Sequence, residues 1–238
     1  MLSVTMQTPP NNVSCGPSSL HTLYRYYGDN IALEQVIKEI SYLDDGGTLG
    51  VFLGCHALRR GYRVIIHPYN LNIFDPTWFQ DEKVDIGEKL RLQLERKQKT
   101  QSAKASTAMK AFIDYLSLGG KIVWRDLTES LIKEYTDSGR SVIAGLSSTY
   151  LYQCKRELTD ELGEALYDDV GGYPAGHFVF VRGYDERRDE VALADPYQGN
   201  PIASSHYYNV AFSRFKESVL LGVAPYDGEL VIIDRGVV

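Results

Sequence analysis

Long apolar runs are missing from this sequence of 238 residues. The apolar runs that are present are all far shorter than the roughly 18 residues that a membrane-spanning helix needs. The opening segment, residues 1–12, has neither a basic start nor an apolar centre, so it lacks the pattern of a secretory signal peptide. We therefore expect a cytoplasmic protein that has no membrane partner.

Cysteine is also scarce, and the sequence has no excess of positive charge. The three cysteines cannot all pair with one another, and nothing else in the sequence points to an oxidising compartment, so we expect reduced thiols. The formal net charge of −6 argues against a general nucleic-acid binder, because such proteins are usually basic. We expect no nucleic-acid partner.

Several motifs of metal and nucleotide chemistry are absent. The sequence contains no H-E-x-x-H, no paired C-x-x-C, no G-x-x-x-x-G-K-[ST] and no G-x-G-x-x-G after a predicted strand. We therefore expect neither a metal ion nor an organic cofactor.

The composition that remains, with 44% hydrophobic and 24% charged residues, is that of an ordinary globular protein. The length suits one large core, and no internal repeat or linker marks a boundary. We predict a single domain over residues 1–238, with an extended helical middle segment at about 81–120.

The order of the predicted elements indicates the fold class. We predict a short strand at residues 2–6, followed by a region in which apolar residues recur with helical periodicity. For the polar stretch 150–169 we predict helix and loop. From Gly176 to the apolar segment 229–234 the chain is rich in predicted strands. Helices first and an antiparallel sheet second indicate an α+β fold.

Cys15 lies at the predicted start of a helix. Ser14 is a plausible N-cap, Pro17 suits the first turn, and Gly28 ends the helix. Unpaired N–H groups and the helix dipole stabilise a thiolate at this position, and the same groups can stabilise an oxyanion. Cys15 is therefore a candidate nucleophile, which needs a histidine as its cationic partner.

His177 and Asp195 lie on one predicted hairpin. In the first strand His177 shares a face with Val179 and Val181, and Asp195 is in the same phase on the returning strand. If the hairpin folds about residue 186, positions 177 and 195 lie opposite each other. The carboxylate would then orient the imidazole toward the thiol.

Two segments, taken in order, also resemble the motifs of a known family. The first is Gln7 with Ser14–Leu20 and Tyr26–Gly28, and the second is Gly176–Val181 with Gly183–Asp185 and Asp195–Pro196. Together they are similar to the motifs of C39-type cysteine peptidases, papain-like enzymes that include bacteriocin-leader processing domains and stand-alone relatives. The resemblance runs from Gln7 to the strands after Asp195.

This resemblance implies a papain-like fold, in which an N-terminal helical half packs on a C-terminal antiparallel β-sheet. It implies that Cys15 is the nucleophile, that His177 is the general base and acid, and that Asp195 is the orienting carboxylate. A metal site built from these three residues is chemically possible, but the resemblance argues against it.

The resemblance further implies that Gln7 donates its side-chain amide to the oxyanion, beside the backbone N–H of Cys15. Gln7 precedes Cys15 by more positions than is usual in the family. The Pro9-Pro10 turn can absorb the extra residues, or Asn11 or Asn12 can take over as the donor.

Each candidate also has a structural interpretation. A free cysteine is most often a small buried hydrophobe, and we interpret Cys55 and Cys154 in this way. His177 alone could end a strand, and Asp195 could belong to a strand-ending turn. The basic residues of the middle segment are interpreted as a solvated face. The remaining histidines have no motif around them and are interpreted as structural or surface residues: His21, His56, His67 and His206.

Three functions are compatible with these residues. The first is a peptidase that hydrolyses a peptide or protein substrate through a thioester acyl-enzyme on Cys15. The second is an acyltransferase or peptide-modifying enzyme that passes the same acyl group to an amine or thiol. The third is a peptide-binding module without catalysis, which the intact Cys, His and Asp argue against.

Overall fold

The computed structural model describes residues 1–11, 13–44, 46–159, 165–224 and 226–236. The helices are α1 (Cys15–Tyr26), α2 (Leu33–Glu39), α3 (Gly50–Arg59), α4 (Ile86–Arg96), α5 (Ala103–Ser117), α6 (Glu129–Asp137), α7 (Ser148–Tyr152) and α8 (Phe212–Leu221). The strands are β1 (Arg63–Pro68), β2 (Lys121–Ile122), β3 (Ser141–Ser147), β4 (Glu157–Thr159), β5 (Ala165–Tyr167), β6 (Gly176–Asp185), β7 (Glu190–Ala194), β8 (Tyr207–Ala211) and β9 (Glu229–Asp234).

Seven strands form one sheet in the order β2-β1-β9-β3-β6-β7-β8. All neighbouring pairs are antiparallel except β1 and β2, which are parallel. The last strand, β9, lies between β1 and β3, so the end of the chain joins the early strand to the later ones. The α+β architecture predicted from the sequence is confirmed.

Helices cover both faces of this sheet. Helices α1 and α3 pack on one face, and α6 and α8 pack on the other. Strand β6 shows the consequence, because Phe178 and Phe180 point into one apolar cluster while Val179 and Val181 point into the other. A strand that is buried on both faces has a nearly continuous apolar sequence. Because close packing holds it from both sides, the position of its first residues is well defined.

Three segments differ from the sequence-based expectation. Residues 2–6 form no strand, although the Leu2 N–H donates to the Arg182 carbonyl over 2.7 Å. The stretch 150–169 contains the hairpin of β4 and β5 after a short helix, and residues 160–164 of that stretch lie outside the described part. In the strand-rich region, Phe212, Phe215 and Val219 recur at helical spacing and are buried on α8.

Among the described residues, no helix combines the length and the apolar character that a membrane crossing requires.

Gly145 on β3 tests how tightly this sheet packs at the end near Cys15. A Cβ at this position would lie 2.1 Å from the Asp227 carbonyl oxygen and 2.9 Å from the Phe178 ring. Because the carbonyl belongs to the backbone, Gly145→Ala should lower the free energy of unfolding by about 2–3 kcal/mol, as measured by urea denaturation. Gly87→Ala on α4 is the control, and its effect should stay within about 1 kcal/mol. Equal effects of the two substitutions would contradict the packing described here.

Candidate active site

Cys15 is the first residue of α1 and lies at the edge of a cleft. The next residue, Gly16, is buried so closely that a Cβ there would lie 2.6 Å from the Thr48 side chain. Ser14 occupies the N-cap position, but its side chain makes no capping hydrogen bond and instead donates to Asn11 Oδ1 over 2.6 Å. The first N–H groups of the helix therefore have no side-chain cap, and the Gly16 N–H lowers the pKa of the Cys15 thiol.

His177 lies near the start of β6 and is almost buried, with 9% of its surface exposed. Its Nε2 is 2.8 Å from Asp195 Oδ1, and its ring lies close enough to the Cys15 thiol for each group to shift the pKa of the other. Since Nε2–H donates to the carboxylate, Nδ1 is the nitrogen that faces the sulfur. The structure thus brings Cys15 beside a hydrogen-bonded pair of His177 and Asp195.

Asp195 follows directly after β7 and has no exposed surface. Its Oδ2 accepts hydrogen bonds from the hydroxyl groups of Tyr152 at 2.7 Å and Tyr208 at 2.5 Å. Its Oδ1 accepts from the Tyr197 N–H at 2.8 Å in addition to His177. A buried carboxylate is costly unless its oxygens are hydrogen-bonded, and four donors meet that requirement here.

The charges of these groups support one another. Burial alone would raise the pKa of Asp195, but His177 and the two tyrosine hydroxyls lower it below the usual value. Burial alone would lower the pKa of His177, but Asp195 and Cys15 raise it well above the usual value. Burial would raise the pKa of the Cys15 thiol, yet His177 and the N–H groups of Phe178 and Gly16 lower it. The arrangement favours a thiolate beside an imidazolium.

The hairpin that carries His177 has a different register from the expected one. Phe180 lies opposite Ala194, whereas a turn centred at residue 186 would have placed position 178 there. A bulge between Val181 and Gly183 adds a further irregularity. On the His177 side of this bulge the register shift is two residues, so the side chains there keep the predicted faces. His177 meets Asp195 because the chain continues beyond β7, and not through cross-strand pairing.

A cleft of about 420 Å³ opens beside Cys15 and His177. One wall is the N-terminal segment Thr8–Asn11, and the opposite wall comes from α7, the β4–β5 hairpin and the residues after Asp195. The residues that line this second wall are Ser148, Tyr152, Glu157, Tyr167, Ala175, Gly176, Pro196 and Tyr197. The size falls within the range of ligand-binding clefts.

The predicted oxyanion donors occupy different places. Gln7 is exposed and is not among the residues that line this cleft; it lines a separate, open pocket with His21 and Arg25. Asn11 does line the cleft, and its Oδ1 accepts from the Val13 N–H at 3.2 Å and from the Ser14 hydroxyl at 2.6 Å. Asn12 lies outside the described residues.

Sequence reasoning missed three residues that position Asp195. Tyr152 and Tyr208 bind its carboxylate, and the only signal for Tyr208 is the polar–apolar alternation of β8. The His206 Nδ1–H donates to the Asp195 carbonyl over 2.6 Å, and its Nε2 lies 3.2 Å from the Thr8 hydroxyl. His206 therefore connects the backbone of Asp195 to the N-terminal wall of the cleft.

In the described part of the chain, no three side chains of His, Cys, Asp or Glu are grouped as ligands for a metal ion.

Residues 92–219, more than half of the chain, match the model of the Peptidase_C39 like family. This match includes His177 and Asp195 but not Cys15. Among curated proteins, none matches the sequence.

Two solved structures are similar to the chain as a whole. One is a double glycine motif protease from an AMS/PCAT transporter in complex with the leader peptide, with 13% identity, coverage of 98% of this chain and 92% of that chain, and a TM-score of 0.44. The other is a candidate C39-like peptidase from Bacillus anthracis, with 11% identity, coverage of 98% and 94%, and a TM-score of 0.50. The second likeness shows the fold, and the papain-like α+β prediction is confirmed.

The reactivity of the cysteines tests the electrostatics at Cys15. Burial raises the pKa of Cys55 to about 11 and also raises that of Cys154, whereas the pKa of Cys15 is lowered. At about pH 6, iodoacetamide should alkylate Cys15 at least tenfold faster than Cys154, because only thiolates react. Peptide mapping by mass spectrometry over a pH series measures the three rates in one sample.

The alkylation rate of Cys15 should depend on pH in a definite direction. A lowered pKa keeps Cys15 ionised below the usual thiol range, and its reactivity should fall only as the pH drops through that lowered pKa. In the His177→Ala variant the profile should move to higher pH because the cation is gone. A profile that does not move, or equal rates for Cys15 and Cys154, would contradict the ion pair.

Proposed function

The chain belongs to the Peptidase_C39 like family, and from this premise we propose that it is a cysteine peptidase with Cys15 as the nucleophile. The observation that carries the proposal is that Cys15 and His177 lie in one cleft, where His177 is hydrogen-bonded to the buried Asp195 and shifts the pKa of the thiol. We propose a peptide or a protein as the substrate.

The first step forms the acyl-enzyme. The Cys15 thiolate attacks the carbonyl carbon of the scissile peptide bond, and the carbonyl oxygen becomes an oxyanion. The His177 imidazolium then gives its Nδ1 proton to the leaving nitrogen, the C–N bond breaks, and the amine product departs. A thioester on Cys15 and a neutral His177 remain.

The second step reverses the proton transfer. Neutral His177 takes a proton from a water molecule, which attacks the thioester carbonyl and releases a carboxylic acid and the Cys15 thiolate. Throughout both steps Asp195 holds the ring by its Nε2–H, and Tyr152 and Tyr208 hold Asp195. The ring therefore keeps Nδ1 directed at the reacting atoms.

We assign oxyanion stabilisation to the Cys15 N–H together with the side-chain amide of Asn11, in place of Gln7. The Val13 N–H can only donate, so the Asn11 atom that it contacts is the oxygen, and this fixes the orientation of the amide. This leaves the Nδ2 group free of those two contacts, and we infer that it donates into the cleft that Asn11 lines. Such a donor acts where negative charge develops.

Two further expectations accompany this function. All three cysteines are free, and free cysteines are typical of compartments that keep thiols reduced, so we propose a cytoplasmic location. The prediction that residues 1–238 form a single domain stays a prediction.

Replacing the nucleophile tests the peptidase directly. Cys15→Ala should lower peptide cleavage by at least about 10³-fold, because no thioester can form, and should leave the free energy of unfolding nearly unchanged. A mixed peptide library, followed by mass spectrometry of the new termini, measures cleavage across many sequences at once. Cys154→Ala is the matched control and should keep full activity.

The products of the same assay separate hydrolysis from acyl transfer. Free carboxylic acids support the peptidase, and new amides or thioesters formed with an added amine or thiol support transfer. Cleavage at the wild-type rate by Cys15→Ala would refute both.

Isosteric variants identify the oxyanion donor. Asn11→Asp keeps an oxygen for the Val13 and Ser14 groups but removes the donor, so kcat should fall by about 10²-fold. Gln7→Glu makes the same chemical change outside the cleft and should alter kcat less than twofold. The rates should be compared over a pH series, since a new carboxylate also raises the pKa of the Cys15 thiol. As a second control, Asn11→Ala should show a loss in kcat of similar size. A large loss in Gln7→Glu alone would restore Gln7 as the donor.

A further inference from the structure

The cleft contains one acidic side chain that the proposed reaction does not use. Glu157 on β4 is the only carboxylate among the described residues that line the cleft. It lies in the same cleft as Cys15 and His177, close enough for the charge of His177 to affect its pKa. A carboxyl group in the wall of the cleft bears on which substrate fits.

The backbone holds Glu157 firmly in this position. Glu157 pairs with Tyr167 across the hairpin of β4 and β5. Its N–H donates to the Tyr173 carbonyl over 3.0 Å, and the Tyr173 N–H donates back to it over 2.8 Å. The backbone of Glu157 is therefore hydrogen-bonded on a strand of the cleft wall.

The neighbouring basic residues do not neutralise this carboxylate. Lys155 pairs with Asp169 at 3.8 Å, and the Arg156 guanidinium donates to the carbonyls of Asp169 and Val170 at 2.6 and 3.0 Å. Burial raises the pKa of Glu157, and the charge of His177 opposes that effect. Among the described residues no lysine or arginine is paired with Glu157, and the desolvation cost of this half-buried carboxylate is only partly offset by His177, so a cationic ligand would offset it further.

Aromatic rings line the same cleft. Tyr152 and Tyr197 lie with their ring centroids 6.3 Å apart, and Tyr167 lies across the hairpin from Glu157. Tyr167 has 57% of its surface exposed, so its ring is accessible to a ligand. Carboxylates combined with tyrosine faces recognise ammonium and guanidinium groups, through ion pairing and cation–π contact.

We propose that Glu157 makes the enzyme select substrates that carry a cationic group close to the scissile bond. This inference rests on the proposed peptidase function. The cationic group is an ammonium or a guanidinium, supplied by a lysine or arginine side chain or by a free amino terminus.

Matched peptide pairs test the inference. Each pair differs only in charge at one scanned position: lysine against norleucine, arginine against citrulline, or a free against an acetylated amino terminus. Wild-type enzyme should cleave the charged member of at least one pair about tenfold better in kcat/KM, which corresponds to about 1.4 kcal/mol. The pair that shows the effect identifies the source of the charge.

Two variants connect the preference to Glu157. Glu157→Gln keeps the shape of the side chain and should cleave both members of the pair with equal kcat/KM. Glu95→Gln removes a carboxylate from the exposed side of α4 and should keep the full preference. If wild-type enzyme hydrolyses the peptides without discriminating charge, or if Glu157→Gln keeps the preference, the inference is wrong while the peptidase stands.

Binding distinguishes this failure from failure of the peptidase. If no peptide is hydrolysed, the same pairs are titrated against Cys15→Ala protein and against the Cys15→Ala, Glu157→Gln double variant. Tighter binding of the charged member to the first protein alone supports the role of Glu157 without catalysis. Equal affinities for both members would overturn it.

Discussion

A histidine ring buried between a carboxylate and a thiol sets the main constraint on this structure. An imidazolium can stay buried only if Asp195 remains ionised, and Asp195 can remain ionised only if its oxygens are hydrogen-bonded. The donors come from α7 through Tyr152, from β8 through Tyr208, and from the backbone of Tyr197. Three separate parts of the chain must therefore converge behind His177 before the pair beside Cys15 can exist.

The sheet and α1 provide the other half of that constraint. Strand β6 is buried on both faces, so its first residues are fixed, and Gly16 and Gly145 allow backbone and side chains to approach closely at that end. The N-terminal segment is tied to β8, since the Tyr207 hydroxyl accepts from the Met6 N–H at 2.9 Å. This tie, together with His206, holds the wall of the cleft that carries Asn11.

Local patterns in the sequence predicted what depends on local chemistry. Cys15 was singled out because it precedes Gly-Pro at a helix start, and His177 and Asp195 because they are in phase on one hairpin. The order of elements indicated an α+β fold. The register of that hairpin depended on the position of the turn, since Asp185 pairs with Glu190, and on a bulge between Val181 and Gly183. The contacts of Tyr152 and Tyr208 with Asp195 join residues that are 43 and 13 positions apart. Packing of the whole fold decides such contacts, as it decides that Asn11 and not Gln7 lines the cleft.

The central claim is that Cys15 and His177 form a thiolate–imidazolium pair in the resting protein. An NMR titration of the His177 ring measures this most directly, in wild-type protein and in Cys15→Ser, which cannot form a thiolate. We predict that His177 is protonated at neutral pH in the wild type, and that its titration midpoint falls in Cys15→Ser because an anion that raises its pKa is gone. A neutral His177 at that pH, with the same midpoint in both proteins, would contradict the account.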